Sequence, residues 1–241
     1  DSYSKNNFNA GSRPSSNGAW LIANSYGSDY NDNGYFWVSY EEPSLSDIYT
    51  MAAESTANYE NIYQYDGNGW SNGTAFPSSD ITGANVFTSG SSFEETLNAV
   101  SFYTMTDNQK YTVKIYKNLT GDTPDTGTLA SSCTVSGTAD YSGYHTVKLP
   151  TSCTLSPGSK FAVTITYKYD SSSGHEAYIP YEGESESYDG VLYSYGSKQG
   201  QSFIYANDDK TWYDCTTIDN RVMNNLPIKA FTSNGIATTN T

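Results

Sequence analysis

The sequence has little positive charge, few cysteines and histidines, and no long apolar run. Lys and Arg together number 12 against 26 Asp and Glu, which gives a formal net charge of -14. This balance repels phosphates and anionic lipids, so we expect no nucleic-acid binding. No apolar run approaches the roughly 20 residues of a membrane-spanning helix, and we expect no membrane span. The N-terminal residues also lack the basic and apolar regions of a signal peptide, so we expect a mature or excised piece.

The scarcity of metal-binding side chains argues against a metal site. No C-x-x-C pair occurs, which disfavours a structural zinc site. The two histidines, His145 and His175, cannot form a typical zinc hydrolase site without further carboxylates. We therefore predict no metal and no cofactor. The net charge of -14 allows adventitious binding of calcium. Of the three cysteines we predict a disulfide between Cys133 and Cys153, and buried free thiols are the alternative.

The surface chemistry favours an exported protein. Charged residues make up only 16% of the chain, and Ser, Thr, Asn, Gly and Tyr take their place. Aromatic residues reach 15%, which is enough for a globular core despite a mean hydropathy of -0.60. We expect an extracellular or cell-surface protein.

Alternation of apolar and polar residues predicts a mainly β protein. Residues 111–116 and 161–167 alternate β-branched or aromatic residues with polar or small ones, which predicts half-buried strands. Shorter patterns of the same kind, separated by turn clusters, occur at 97–105, 144–149, 191–195 and 202–205. This spacing favours an antiparallel, jelly-roll-like β-sandwich.

Composition divides the chain into unequal parts. A strand-like run, 34–40, is followed by Glu41-Glu42-Pro43-Ser44, after which a new set of strands begins. We predict one unit at 1–45, a sandwich domain at 46–232 and a polar linker or tail at 233–241. The first unit has too little apolar area to fold alone.

Residues 18–35, GAWLIANSYGSDYNDNGY, resemble a segment of papain-like cysteine peptidases. The family pattern around the catalytic asparagine is W-x-x-K-N-S-W-G-x-x-W-G-x-x-G-Y. The positions that match it are Trp20, Asn24, Ser25, Gly27, Gly34 and Tyr35. The positions that depart from it are Ala23, Tyr26, Tyr30 and Asn31.

The resemblance implies a role for two residues. In such peptidases the asparagine oxygen orients the catalytic imidazole, and the aromatic side chain that follows shields this hydrogen bond from water. Asn24 and Tyr26 occupy these positions. The family's nucleophilic cysteine and its histidine lie N-terminal to the segment, so the resemblance implies an N-terminal portion as partner. Retained peptidase activity and an inactive homologue both stay open.

Further segments resemble the lectin-like β-sandwich that follows papain-like domains in bacterial and archaeal surface peptidases. These segments are residues 85–104, 115–119, 143–149, 201–204 and 228–232. Together the two resemblances imply the C-terminal strands of a papain-like domain followed by a β-sandwich.

A non-catalytic binding module is the alternative function. Trp70 and Trp212 lie in loop-like surroundings, where an exposed ring can stack on a sugar, although packing on the sandwich is the other explanation. Trp20 and Trp37, in the peptidase-like part, are expected to be buried. The ligand would be a polysaccharide, a peptide or a protein partner.

Asp29–Gly34 matches the start of a calcium loop but lacks the glutamate at the twelfth position, which favours a plain turn. Asp66-Gly67-Asn68-Gly69 is a similar acidic turn, and we expect it to be solvated.

Overall fold

A computed structural model describes the chain except for several short stretches. The described residues are 2–46, 48–76, 79–174, 176–183, 187–188, 191–192, 196–207, 210–218 and 223–235. They form two compact units, Asp1–Glu54 and Ser55–Thr241. Residues 48–54 have no regular secondary structure and are exposed, while the predicted boundary at residue 45 remains a prediction. The predicted tail falls mostly outside the described residues.

Unit 1 is built around one hairpin. Two 3₁₀ turns, Lys5–Asn7 and Ala10–Ser12, precede strands β1 (Ala19–Ala23) and β2 (Tyr35–Ser39). The strands pair antiparallel, from Ala19 opposite Ser39 to Ala23 opposite Tyr35. Among the described residues no third strand joins this sheet.

Unit 2 holds the remaining strands. The first eight are β3 (Asn61–Tyr63), β4 (Asn72–Phe76), β5 (Ile81–Thr88), β6 (Glu95–Thr104), β7 (Gln109–Lys117), β8 (Thr128–Leu129), β9 (Val135–Ala139) and β10 (Gly143–Leu155). The others are β11 (Lys160–Tyr167), β12 (Ala177–Gly183), β13 (Ser187–Tyr188), β14 (Val191–Leu192), β15 (Ser202–Ala206), β16 (Thr211–Asp214), β17 (Met223–Asn225) and β18 (Lys229–Asn234). Two 3₁₀ turns, Ser131–Cys133 and Cys215–Thr217, lie between them.

The strands of unit 2 form two main sheets. A four-stranded sheet has the order β10–β6–β18–β3. A seven-stranded sheet has the order β16–β15–β5–β11–β7–β8, and β9 also pairs with β7. Smaller sheets are β17–β12–β4 and β13–β14. Every ladder between described strands is antiparallel.

The main core lies between the two large sheets. Leu97 and Phe102 of β6 pack in one buried cluster with Ile115 of β7 and with Phe161 and Ile165 of β11. Inward-facing residues of two antiparallel sheets that share a core define a β-sandwich. The predicted mainly β, antiparallel sandwich is therefore confirmed.

Strand β11 differs from the prediction of a half-buried strand. Phe161, Val163 and Ile165 face the main core as expected, but Ala162 and Thr164 between them are also buried. Ala162 belongs to a second small cluster with Ala84, Val86 and Phe203. The partly buried side chains of Tyr116, Leu119 and Trp212 pack against that cluster. The outer face of the seven-stranded sheet therefore carries a small core of its own.

Among the described residues, no helix has the length and apolar character needed to cross a bilayer.

Candidate functional site

The turn of the unit 1 hairpin explains the two motif glycines. Gly27 and Gly34 both have positive φ angles, of 88° and 86°. A Cβ on Gly34 would lie only 2.8 Å from the backbone oxygen of Gly27, which is too close for any side chain. The Gly34 N–H donates to the Tyr30 oxygen at 2.7 Å, which closes the turn. Two asparagines, Asn31 and Asn33, take the left-handed conformation, as expected for a turn.

Asn24 lies at the end of β1, where this turn begins. Its backbone N–H donates to the Gly34 oxygen at 2.9 Å. Its side-chain Oδ1 accepts a 2.7 Å hydrogen bond from the Tyr26 N–H, so one lone pair of this oxygen is still available for another donor. The Asn24 Nδ2 is buried and has no hydrogen-bond partner among the described residues. The amide is thus held by the backbone and retains unused hydrogen-bonding capacity.

Tyr26 lies on the outside of the turn. Its ring is 76% exposed and packs edge-on against Tyr30, with ring centroids 5.3 Å apart. Unit 1 contains no cysteine and no histidine. Unit 1 therefore supplies no imidazole of its own for Asn24 to orient or for Tyr26 to shield, and both roles remain predictions.

Both faces of the hairpin are apolar and exposed. Cross-strand partners share a face, so Trp20, Ile22, Phe36 and Val38 lie on one side and Leu21, Tyr35 and Trp37 on the other. The expectation that Trp20 and Trp37 are buried is wrong for this chain, since they are 49% and 37% exposed. Strands with apolar residues on both faces are typical of sheets that are covered on both sides.

Polar contacts fix the N-terminal segment of unit 1 to the end of the hairpin. The Glu41 carboxylate, just after β2, accepts hydrogen bonds from the backbone and hydroxyl groups of Ser15 and Ser16. These donors, the Ser16 hydroxyl above all, lower the pKa of Glu41 to about 2. Tyr3 stacks on Trp37 with ring centroids 4.1 Å apart. Unit 1 is thus ordered by contacts along its edges and has no buried aliphatic core of its own among the described residues.

In unit 2, buried charges hold the turn that carries Trp70. Glu182 of β12 is buried, and its Oε1 accepts hydrogen bonds from the N–H groups of Gly67 and Asn68 at 3.0 and 2.9 Å. Its Oε2 accepts from Asn225 Nδ2 at 2.8 Å. We call Asp66–Trp70 the Trp70 turn. Its loop-like character was predicted, but its attachment to a buried carboxylate was not.

Asp66 corrects the expectation of a solvated acidic turn. Its side chain is buried, and its Oδ2 lies 2.9 Å from the Lys229 ammonium. Burial raises the pKa of Asp66, whereas Lys229 acts in the opposite direction and Glu182 raises it further. The ion pair joins the start of the Trp70 turn to β18.

Trp70 begins a strip of aromatic rings along the four-stranded sheet. It packs edge-on against Tyr103 of β6 at 6.3 Å, and Tyr103 lies 5.0 Å from Tyr144 of β10. Trp70 and Tyr144 are 42% and 45% exposed, and the Tyr144 hydroxyl donates to the Ser101 hydroxyl at 2.6 Å. We call Trp70, Tyr103 and Tyr144 the aromatic strip. Sequence reasoning missed both tyrosines, because they lie on strands distant in sequence from the Trp70 turn.

Trp212 lies elsewhere, on β16 of the seven-stranded sheet. Its ring packs on the small outer cluster and lies 5.2 Å from Tyr205, and its Nε1 is buried with no hydrogen-bond partner among the described residues. Trp70, in a turn, packs against the four-stranded sheet, whereas Trp212 belongs to the seven-stranded sheet, so the two predicted ligand-binding tryptophans do not form one site. A binding role for either stays a prediction.

The remaining candidates are largely structural. Cys133, Cys153 and Cys215 are buried free thiols, so the predicted disulfide between Cys133 and Cys153 is not formed in this structure and stays a prediction. His145 Nε2 lies 2.9 Å from the Thr104 hydroxyl, and burial lowers its pKa. His175 falls outside the described residues. In the part of the chain that the structure describes, no cluster of three or more His, Cys, Asp or Glu side chains could hold a metal ion.

A family model and two solved structures are similar to this chain. Residues 62–232 match the family model of the lectin-like domain. The chain resembles the structure of a clostridial cysteine protease, Cwp84, after propeptide cleavage, with 29% identity and a TM-score of 0.70 over 98% of this chain and 56% of that one. It also resembles the cysteine protease and lectin-like domains of Cwp84, a surface layer associated protein of Clostridium difficile. That match has 28% identity and a TM-score of 0.69, and it covers 98% of this chain and 50% of the other.

The chain therefore spans about half the length of the solved structures it matches. No curated protein matches it. The predicted resemblance to a peptidase segment followed by a lectin-like sandwich is confirmed. With the family model covering most of its length, the chain belongs to the lectin-like domain family.

Proposed function

We propose that this chain is the C-terminal portion of a cell-surface cysteine peptidase, or of a peptidase homologue, of the papain-like type. Unit 1 would complete a catalytic domain together with an N-terminal portion that supplies the cysteine and the histidine. The lectin-like sandwich would be the module attached to that domain. The similarity to Cwp84, which carries both kinds of domain and is associated with a surface layer, supports this proposal.

The observation that carries the proposal is the two-sided apolar hairpin. A two-stranded sheet is marginally stable alone in water, and β1–β2 exposes large apolar side chains on both faces. Burying such faces is favourable by about 25 cal/mol per Å² of apolar surface. A partner that covers both faces would thus stabilise the hairpin and keep Asn24 in place.

Pairing can be tested by titrating the isolated chain with the separately produced N-terminal portion and measuring the heat of binding. Trp37→Ser should weaken binding at least 10-fold, because it removes one large apolar side chain from the contact. Leu129→Ser is the matched control, since Leu129 of β8 has the same 37% exposure as Trp37 but lies in unit 2. Equal affinities of the two variants would contradict the proposal.

The role of Asn24 can be tested in the full-length protein. In such a site the Asn24 Oδ1 would accept the imidazole N–H and fix the orientation of the ring. Asn24→Ala should then lower kcat about 100-fold and shift the pH profile, because a misoriented general base loses its geometry. Asn33→Gly, in the same turn, is the control and should retain activity. Unchanged kcat and pH profile in Asn24→Ala would remove Asn24 from the mechanism.

A second candidate function, saccharide binding by the lectin-like domain, is favoured by the aromatic strip. Two of its rings are roughly half exposed, and exposed rings can stack on a sugar. The Tyr144 hydroxyl donates to Ser101 and can still accept a hydrogen bond from a sugar hydroxyl. Retention in gels that contain soluble polysaccharide tests this function. Trp70→Ala should abolish retention, whereas Tyr213→Ala, with a similar exposure of 41%, should not change it. Equal mobility of both variants and the wild type would remove the strip as a saccharide site.

A further inference from the structure

Two of the three cysteines meet at the open edge of the sandwich. Cys133 ends the 3₁₀ turn Ser131–Cys133, between β8 and β9, and Cys153 lies in β10. Both are buried in the main core, at 2% and 1% exposure. The Cys133 Sγ lies 3.7 Å from the Thr151 hydroxyl and 3.9 Å from the Ser152 oxygen, so it faces β10 just before Cys153. Cys133 is also one of the causes that raise the pKa of Cys153, so the two thiols lie close to each other.

The third cysteine is remote from this pair. Cys215 follows β16, at one end of the seven-stranded sheet, whereas the turn with Cys133 adjoins β7 and β8 at the other end. Four strand spacings separate β16 from β7, or about 19 Å at about 4.8 Å each. A disulfide requires Cα atoms within about 7 Å of each other. Measured along the sheet, Cys215 therefore lies far beyond this distance from the turn that carries Cys133.

We propose that Cys133 and Cys153 form a disulfide in the mature protein, which fastens the two large sheets together at this edge. The four-stranded sheet contributes β10, and the turn with Cys133 adjoins β8 and β9 of the seven-stranded sheet. Each thiol loses one hydrogen, and the two electrons reduce the disulfide of an oxidant such as oxidised glutathione to two thiols. An oxidising extracellular location would preserve the bond.

The same burial that brings the thiols together restricts when they can react. Burial, and the nearby Cys133 thiol, raise the pKa of Cys153 to about 12, so its reactive thiolate is scarce in the folded protein. Oxidation should therefore take place while the chain folds, before the sandwich closes. This predicts a difference between chains folded with and without an oxidant and little change when the folded, reduced chain is oxidised.

The test compares the chain refolded in glutathione redox buffer with the chain refolded in excess reductant. Thiols are then counted in denaturant, and peptides are mapped by mass spectrometry. One free thiol, at Cys215, and a linked Cys133–Cys153 peptide are expected after oxidative refolding. Three free thiols, or a linkage that involves Cys215, would overturn the proposal.

Thermal unfolding gives a second measurement that does not depend on peptide mapping. The oxidised chain should melt about 6–12 °C above the reduced chain, because the bond closes a loop of about twenty residues in the unfolded state. Cys215→Ala should retain this difference, whereas Cys153→Ala should lose it. An equal melting temperature of the two redox forms in Cys215→Ala would overturn the proposal even if Cys153→Ala fails to fold.

Discussion

Replacement of Glu182 measures how firmly the Trp70 turn is held. Alanine at this position removes a buried carboxylate that accepts from Gly67, Asn68 and Asn225. Gly67 and Asn68 are exposed, so water can replace part of what their N–H groups lose. With water as a partial replacement, each of the three lost hydrogen bonds costs about 1 kcal/mol. The cavity left by the side chain adds about 1 kcal/mol more. Relief of the repulsion with Asp66 offsets part of this sum, so we expect a loss of about 3 kcal/mol in the free energy of unfolding.

Glutamine at the same position should cost less. Glu182→Gln keeps the volume of the side chain and the oxygen that accepts from the Trp70 turn. Its NH₂ group meets the Asn225 NH₂ group, so one hydrogen bond is lost and two donors face each other, at a cost of about 1–2 kcal/mol. The Asn225 Oδ1 has no hydrogen-bond partner among the described residues, and rotation of this amide could regain part of the loss.

Urea unfolding followed by circular dichroism gives the free energies of both variants. In thermal unfolding, each kcal/mol of lost stability lowers the melting temperature by about 2–4 °C, so the alanine variant should melt about 6–12 °C below the wild type. Glu94→Ala, at an exposed position, is the control and should change stability by less than about 0.5 kcal/mol. A glutamine variant as unstable as the alanine variant, or an alanine variant as stable as the control, would refute this account of Glu182.

Three further predictions follow from single residues. Leu97→Ala, in the main core, should cost about 3–5 kcal/mol in the free energy of unfolding by urea, because the side chain is fully buried. Gly34→Ala should abolish the hairpin, since its Cβ would clash with the Gly27 oxygen, and loss of slow amide exchange in β1 would report it. His145 has a lowered pKa in the folded state, so protons favour the unfolded chain. Stability should fall as the pH drops below about 6.5, and His145→Gln should remove this part of the pH dependence of the melting temperature.

The strands of the sandwich could be predicted because their signal is local. The alternation at 111–116 lies within β7, and the buried Val113 and Ile115 face the core as the pattern requires. Burial of the second face of β11 was not predictable in this way. It depends on Phe203 and Trp212, which reach the sheet from much later in the chain.

The candidate sites were even less predictable from local sequence than the strands. Residues 66–69 have the local signature of a solvated turn, yet Asp66 is buried and pairs with Lys229, and Glu182 binds the backbone of this turn. Nothing in the sequence near residue 66 indicates these partners. For Trp20 and Trp37 the apolar pattern predicted burial, but both are exposed in this chain. Burial depends on what covers the hairpin, which no local pattern encodes.

The irregular course of β10 has a consequence for how the protein behaves at high concentration. This strand forms one edge of the four-stranded sheet, and its register with β6 shifts between Lys148 and Cys153. Pro150, within the irregular stretch, has no N–H to donate, and Lys148 places a charge on the exposed side. A neighbouring molecule therefore finds no continuous ladder of free backbone groups along β10. The bulge, the proline and the lysine together oppose edge-to-edge aggregation.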